Sequence, residues 1–160
     1  MSLILIVACK PKAPGTADPL VTTVNSFDKV IHEEKDTKRL ASLRIVEAGR
    51  KELQNLRFER AAQEFTKAIE LDSQNPYAYY FFAEARTKSQ RFLEAIDLYD
   101  QSVGYFTTES TWKSQALTLK GEIQESLKNY AQAKQSFDQA LKVYSKNNRA
   151  KQGIARLSKD

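Results

Sequence analysis

The sequence predicts an all-α fold built from a repeated unit, and three observations predict it. Residues that break helices are scarce. The 160 residues contain five glycines and four prolines, and from Leu20 to Asp160 the only proline is Pro76. A stretch so poor in breakers favours helices with short turns over a many-turned β fold. Segments of the chain recur at a fixed spacing. Within each recurrence, small and aromatic residues keep the spacing of one helical face.

The composition bounds the rest. Hydrophobic residues make up 41% and charged residues 28%, an ordinary soluble balance for one domain with a core. Formal net charge is +5, unevenly spread: residues 61–113 hold five Lys/Arg against eight Asp/Glu, and residues 114–160 hold nine against four. The basic end suits an acidic partner, a membrane surface or plain solvation. The one cysteine, Cys9, excludes an internal disulfide.

Taken in order, the chain opens MSLILIVACKPKAPGTADP. Leu3 to Ala8 is apolar and too short to span a bilayer, which takes about 20 apolar residues. Its end, IVAC, resembles the lipobox of bacterial lipoproteins: a branched aliphatic, a tolerated residue, a small residue, then cysteine. The resemblance implies a signal segment over 1–8, acylation at Cys9 and a flexible tether over 9–19. Lys10 after the cysteine implies the outer membrane, by similarity to the sorting rule of enteric-type bacteria. The expected location is the bacterial cell envelope, facing the periplasm. The alternative is a cytoplasmic protein with an accidental lipobox.

A first amphipathic helix follows in DPLVTTVNSFDKVIHEEKD, with Asp18 as cap and Pro19 at its start. Leu20, Val24, Phe27 and either Ile31 or Val30 form its apolar stripe. It is expected to cover the open end of the repeats, or else to stay free as a binding helix.

The repeats are legible by alignment. Arg57 matches Arg91, Phe58 matches Phe92, Ala61 matches Ala95, Phe65 matches Tyr99 and Ala68 matches Ser102, each 34 residues on. A third copy over 129–148 sets Tyr130, Ala133, Phe137 and Ala140 in the same slots. From Ala95 to Ala133 the spacing is 38, so about four residues are inserted near GYFTTESTW. Small residues let a neighbouring helix approach and the ring fills the gap between.

This pattern resembles the tetratricopeptide repeat (TPR), a helix–turn–helix unit, over roughly residues 40–160. The resemblance implies a TPR-type α-solenoid of antiparallel helix hairpins. About three repeats (40–75, 76–109 and 110–147) follow the N-terminal helix and precede a C-terminal capping helix over 148–160. In the first repeat Ile45, Ala48 and Gly49 take the packing slots. The stretch NPYAYYFFAEAR puts five aromatic residues between Tyr77 and Phe82, strand-like by propensity. In the repeat register it becomes a helix, with Asn75 as N-cap, Pro76 at the first position and Tyr79, Phe82 and Ala83 in the packing slots. Arg86 departs from the family, where an aromatic residue or leucine is usual. TWKSQALTLKGEIQESL fits two registers four residues apart, one anchored by Trp112 and the other by Leu117 with Gly121. In the cap, Ala150, Ile154, Ala155 and Leu157 are expected inward.

Catalytic constellations are not found in the sequence. The five glycines are dispersed and cannot cradle a phosphate. His32 and Cys9 are each unique, and the carboxylate pairs Asp97/Asp100 and Glu122/Glu125 read as solvated helix faces. No cofactor, no metal and no enzymatic activity are expected, and nucleic-acid binding finds little support because acids intersperse the bases.

What remains is recognition. The family resemblance implies that first helices line a concave surface. Its positions correspond to Leu43, Val46, Arg50 and Leu53, then Tyr77, Tyr80, Glu84 and Thr87, then Gln115, Thr118, Glu122 and Glu125 in the Gly121 register. Tyr77 and Tyr80 either offer area to a protein or peptide partner or pack against the preceding repeat. The Lys and Asn residues with which chaperone-binding members clamp a terminal carboxylate are absent from these positions. The expected function is a non-catalytic interaction module: a lipid-anchored scaffold or assembly factor, a cytoplasmic adaptor, or an accessory domain of an envelope enzyme.

Overall fold

The computed structural model describes residues 27–158, and among them every regular element is helical. Cys9, the tether and the first part of the N-terminal helix expected from the sequence lie outside them. Residues 27–34 fall in one compact unit, with helix α1 over 27–33. The second unit starts at Lys35 and carries seven helices. These are α2 (Thr37–Gln54), α3 (Phe58–Leu71), α4 (Pro76–Lys88), α5 (Phe92–Tyr105), α6 (Ser110–Ser126), α7 (Tyr130–Val143) and α8 (Asn148–Leu157). Helices α2 and α3, α4 and α5, and α6 and α7 pair as hairpins. Each hairpin packs on the next through α3 on α4, α5 on α6 and α7 on α8. Helices α2 and α4 also touch, as do α6 and α8, and Trp112 of α6 reaches Tyr77 and Tyr80 of α4, so the first helices of the hairpins and the cap form one layer.

The small residue facing a ring fixes the register. A Cβ placed on Gly49 would stand 2.5 Å from Phe65 Cε1, and one on Gly121 would stand 2.7 Å from Phe137 Cε1. Gly121 is therefore the third repeat's small slot, and of its two possible registers the one anchored by Leu117 and Gly121 is realised. The inserted residues become the extra first turn of α6, Ser110–Lys113, which carries Trp112.

A polar clasp marks the same register. Ser42 Oγ donates to the Ala68 carbonyl at 2.8 Å, and Asn75 Nδ2 donates to Ser42 Oγ at 2.8 Å. Asn75 Oδ1 meanwhile accepts from the Tyr77 amide and so caps α4. The clasp recurs with Ser114, Ala140 and Asn147: Ser114 Oγ donates to Ala140 O at 2.8 Å, and Asn147 Nδ2 donates to Ser114 Oγ at 2.8 Å. Asn147 caps α8 through the Ala150 amide. Between these two junctions, Glu109 precedes α6 without a side-chain cap.

Each hairpin turns through a left-handed residue that is not glycine: Leu56, Gln90 and Lys128, with φ of 60°, 61° and 62°. The amide after each bonds five residues back, as Arg57 does to Glu52, Arg91 to Arg86 and Asn129 to Gln124. This is the closure of a Schellman turn.

Helix α4 answers the question of its aromatic run. It sits between α2, α3 and α5. Tyr77, Tyr79, Tyr80 and Phe81 are all buried, and the first half of the helix, apolar all round, is enclosed all round, while its second half carries Glu84, Arg86 and Lys88. Tertiary packing overrides β propensity. Arg86, the departure from the family pattern, lays its guanidinium 4.8 Å over the Phe82 ring and reaches Glu59 at 3.3 Å and Glu94 at 3.2 Å.

The cap needs one correction. Ala150 is buried and Ile154 and Leu157 pack on the cluster around Phe137, but Ala155 faces out and Gly153 takes its place inside. Positions 150, 153, 154 and 157 share one face at helical spacing, and 155 falls off it. His32 is exposed at the end of α1.

Candidate partner-binding face

The residues assigned to the groove lie on the helices of the inner layer, but they divide into buried and open ones. Leu43, Val46, Arg50, Leu53 and Thr118 are buried, and Glu84, Thr87, Gln115, Glu122 and Glu125 are half-buried.

Tyr77 and Tyr80 are 2% and 4% exposed, which places them in the interior. Their packing partners lie on the following elements, not on the preceding repeat alone. The Tyr77 ring meets Phe106 edge-on at 5.1 Å and Trp112 at 5.2 Å. The Tyr80 ring meets Trp112 at 5.1 Å and Tyr99 at 5.8 Å. Trp112 is the physical reason. The extra turn of α6 delivers its indole against α4, where Phe81 also meets it at 5.9 Å. Edge-to-face contacts of this kind add about 0.5–1.5 kcal/mol per pair beyond area burial. Burial drives both the Tyr80 and Tyr99 hydroxyls far above their ordinary pKa.

The open part of the layer is charged, and most of its charges are paired. Arg149 of α8 forks onto Glu122 of α6, with Nε and Nη2 each 2.5 Å from a carboxylate oxygen. Arg156 forks onto Glu125 at 2.9 and 2.7 Å. The hydrogen bond from Arg156 holds the Glu125 carboxyl below its ordinary range, and the same pair raises Arg156. Glu122 likewise raises Arg149. The Arg50 guanidinium lies 4.8 Å over the Phe81 ring.

Glu84, at the middle of the layer, differs. Burial raises its pKa, and the positive charges of Lys88, Arg50 and Arg149 oppose the shift from a distance. No described residue stands within hydrogen-bonding or ion-pair reach of its carboxylate.

Sequence reasoning missed the two arginine forks, because 27 and 31 residues separate the partners and only charge sign hints at them. It also missed the Ser–Asn clasp. A signal for the clasp existed, since Ser and Asn stand 33 residues apart in both copies. Among the described residues, no group of three or more His, Cys, Asp or Glu side chains could hold a metal, and no helix is long and apolar enough to cross a membrane.

The geometry has counterparts among known proteins. No curated protein matches the chain. Among solved structures, the N-terminal domain of stress-induced protein-1 from C. elegans superposes with a TM-score of 0.71 at 20% identity, over 78% of this chain and 99% of that one. The Arabidopsis OM64 TPR domain gives 0.68 at 25% identity, over 76% and 98%. The second TPR domain of human RPAP3, in complex with the HSP70 peptide SGPTIEEVD, gives 0.68 at 23% identity, over 77% and 99%. Two family models, both tetratricopeptide repeat, match residues 46–107 and 114–147, together more than half of the chain. The second match begins at Ser114, the start of the register that Gly121 sets, and the chain belongs to the tetratricopeptide repeat family.

Proposed function

We propose that this chain is a non-catalytic protein-interaction module that takes a peptide or helix of a partner along the layer formed by α2, α4, α6 and α8. The observation that carries the reading is the character of that layer. A rigid aromatic base of Tyr77, Tyr80 and Trp112 supports a half-open rim of Glu84, Gln115, Glu122 and Glu125. Buried rings fix the backbone, and half-buried polar groups offer hydrogen bonds at low ordering cost. The RPAP3 domain, similar in fold and in complex with a peptide, supports a peptide partner.

The second half of the proposal is location. Acylated Cys9 tethers the module in a bacterial cell envelope, with the outer membrane favoured and the repeats facing the periplasm. The lipobox-like IVAC and the Pro/Gly-containing stretch after it support this. There it serves as a scaffold or assembly factor.

Two experiments test the halves separately. A photo-crosslinking residue at position 115 in the full chain should yield a discrete adduct, and one at the exposed Asp97 on α5 should not. Equal adducts from both sites would refute the face. Intact mass and detergent fractionation, with Cys9→Ala as control, should show an acylated chain starting at Cys9. An unmodified soluble chain carrying the residues before Cys9 would remove the anchor.

A further inference from the structure

Most charged groups of the binding layer can be followed to a partner. Arg149 and Arg156 are spent on Glu122 and Glu125, each through a two-pronged contact. Arg50 covers the Phe81 ring. An acidic peptide end, such as the SGPTIEEVD bound by the RPAP3 domain, would have to break a fork to find a guanidinium here. Among the half-buried charged side chains of the layer that are described, the one with no close partner is a carboxylate. Glu84 lies half-buried on α4, one turn beyond Tyr80, with neither a hydrogen bond nor an ion pair to a described residue. Lys88, one turn further, is exposed and stays beyond ion-pair reach. A half-buried carboxylate without a hydrogen-bonded partner is unfavourable in the free protein, because desolvation penalises its charge and the positive charges of Lys88, Arg50 and Arg149 offset only part of the loss. Position 84 lies midway along α4, within the layer of α2, α4, α6 and α8, and so on the path of a segment bound along it.

We infer that Glu84 is the specificity-determining residue of this face, and that the partner segment it selects sets a lysine or arginine side chain against it. The partner's cation supplies the hydrogen bonds that the free protein lacks, and an acidic segment meets an unpaired like charge in the centre of the layer. The inference rests on the proposed use of the layer for partner binding.

The test uses the full chain and a phage-displayed library of random dodecapeptides, panned near neutral pH on the native sequence and on Glu84→Gln. The native chain should enrich peptides with a recurring Lys or Arg. In a synthetic winner, replacing that residue by norleucine should weaken binding by ~10-fold or more on the native chain and by less than ~2-fold on Glu84→Gln. Winners without a recurring cation, or an equal loss on both chains, would overturn the assignment while leaving the binding face intact. Failure of either chain to enrich any peptide would overturn the face itself. Thermal melting gives an independent reading. Glu84→Gln should melt higher than the native chain. A lower melting point would make Glu84 a structural partner of Lys88 and overturn the inference.

Discussion

Gly121→Ala sets two large effects against each other, and the structure decides which wins. Alanine favours a helix interior over glycine by about 1 kcal/mol. The new Cβ would lie 2.7 Å from Phe137 Cε1 and 2.9 Å from Cδ1, closer than such atoms come, so the ring must move. It has nowhere to go. Phe137 is fully buried, and a Cβ placed on Gly153 would lie 2.6 Å from its opposite edge. The ring is wedged between two helices whose closeness depends on glycine. Overpacking a tight core costs about 1–3 kcal/mol, and a ring held on both sides belongs at the upper end. After the propensity gain, a net loss of about 1–2 kcal/mol remains. For a chain of this size that lowers Tm by roughly 3–6 °C. Urea denaturation followed at the helical CD band measures it, and a cycle with Phe137→Leu isolates the contact. The smaller leucine should cost less in the Gly121→Ala background, with a coupling of about 1 kcal/mol or more. A stabilised Gly121→Ala, or strict additivity, would refute the wedge.

Other expectations follow from the same geometry. Asn147→Ala removes the cap of α8 and the donor to Ser114 and Thr118, and should cost about 1–3 kcal/mol in chemical denaturation. Lys128→Gly relieves a left-handed backbone at φ 62° and should raise stability by about 0.5–1 kcal/mol. Two carboxylates of the layer should give opposite pH slopes. Glu84 has a raised folded pKa, so its contribution is most favourable below the ordinary glutamate range and is lost as pH rises through the raised value. Glu125 has a lowered one, so its contribution is present above the ordinary range and is lost as pH falls through the lowered value. Stability profiles of Glu84→Gln and Glu125→Gln against the native chain read each slope, the first against the facing charges of Lys88, Arg50 and Arg149.

How much was legible follows from what each signal depends on. Small–aromatic–small spacing is a property of one helix face, so Ala61–Phe65–Ala68 and its copies could be read directly, and the all-α class with them. The two registers of α6 could not be separated, because the sequence spaces Trp112 and Leu117 acceptably for either. Only the ring facing Gly121 decides, and that ring is on another helix. The same limit applies to Tyr77 and Tyr80. Their helical positions were right, but whether they meet solvent depended on Trp112 arriving from the next hairpin. Asp100 and Glu122 read as solvated faces; Asp100 is exposed and also meets Lys120, while Glu122 is half-buried against Arg149. Pairings across 20 or more residues leave no trace in local pattern. Ala155 was misplaced by a shorter-range error, one residue off a helical stripe.

The four inserted residues Ser110–Lys113 did not become a loop. A helix advances about 100° per residue, so four residues return the chain to within about 40° of its starting direction. The array accommodated extra length in a whole turn, and every side chain after it kept its bearing. Length changes at this junction are therefore quantised. Excising all four residues should keep the helical CD signal of the rest, losing the Trp112 contacts and the Lys113 hydrogen bond to the Phe106 carbonyl. Excising two would bring the chain into α6 from the opposite side and should unseat α5 from α6, which amide hydrogen exchange along α5 would reveal. A family that varies by insertion can grow here one turn at a time, and each added turn presents a new side chain to the centre of the preceding hairpin.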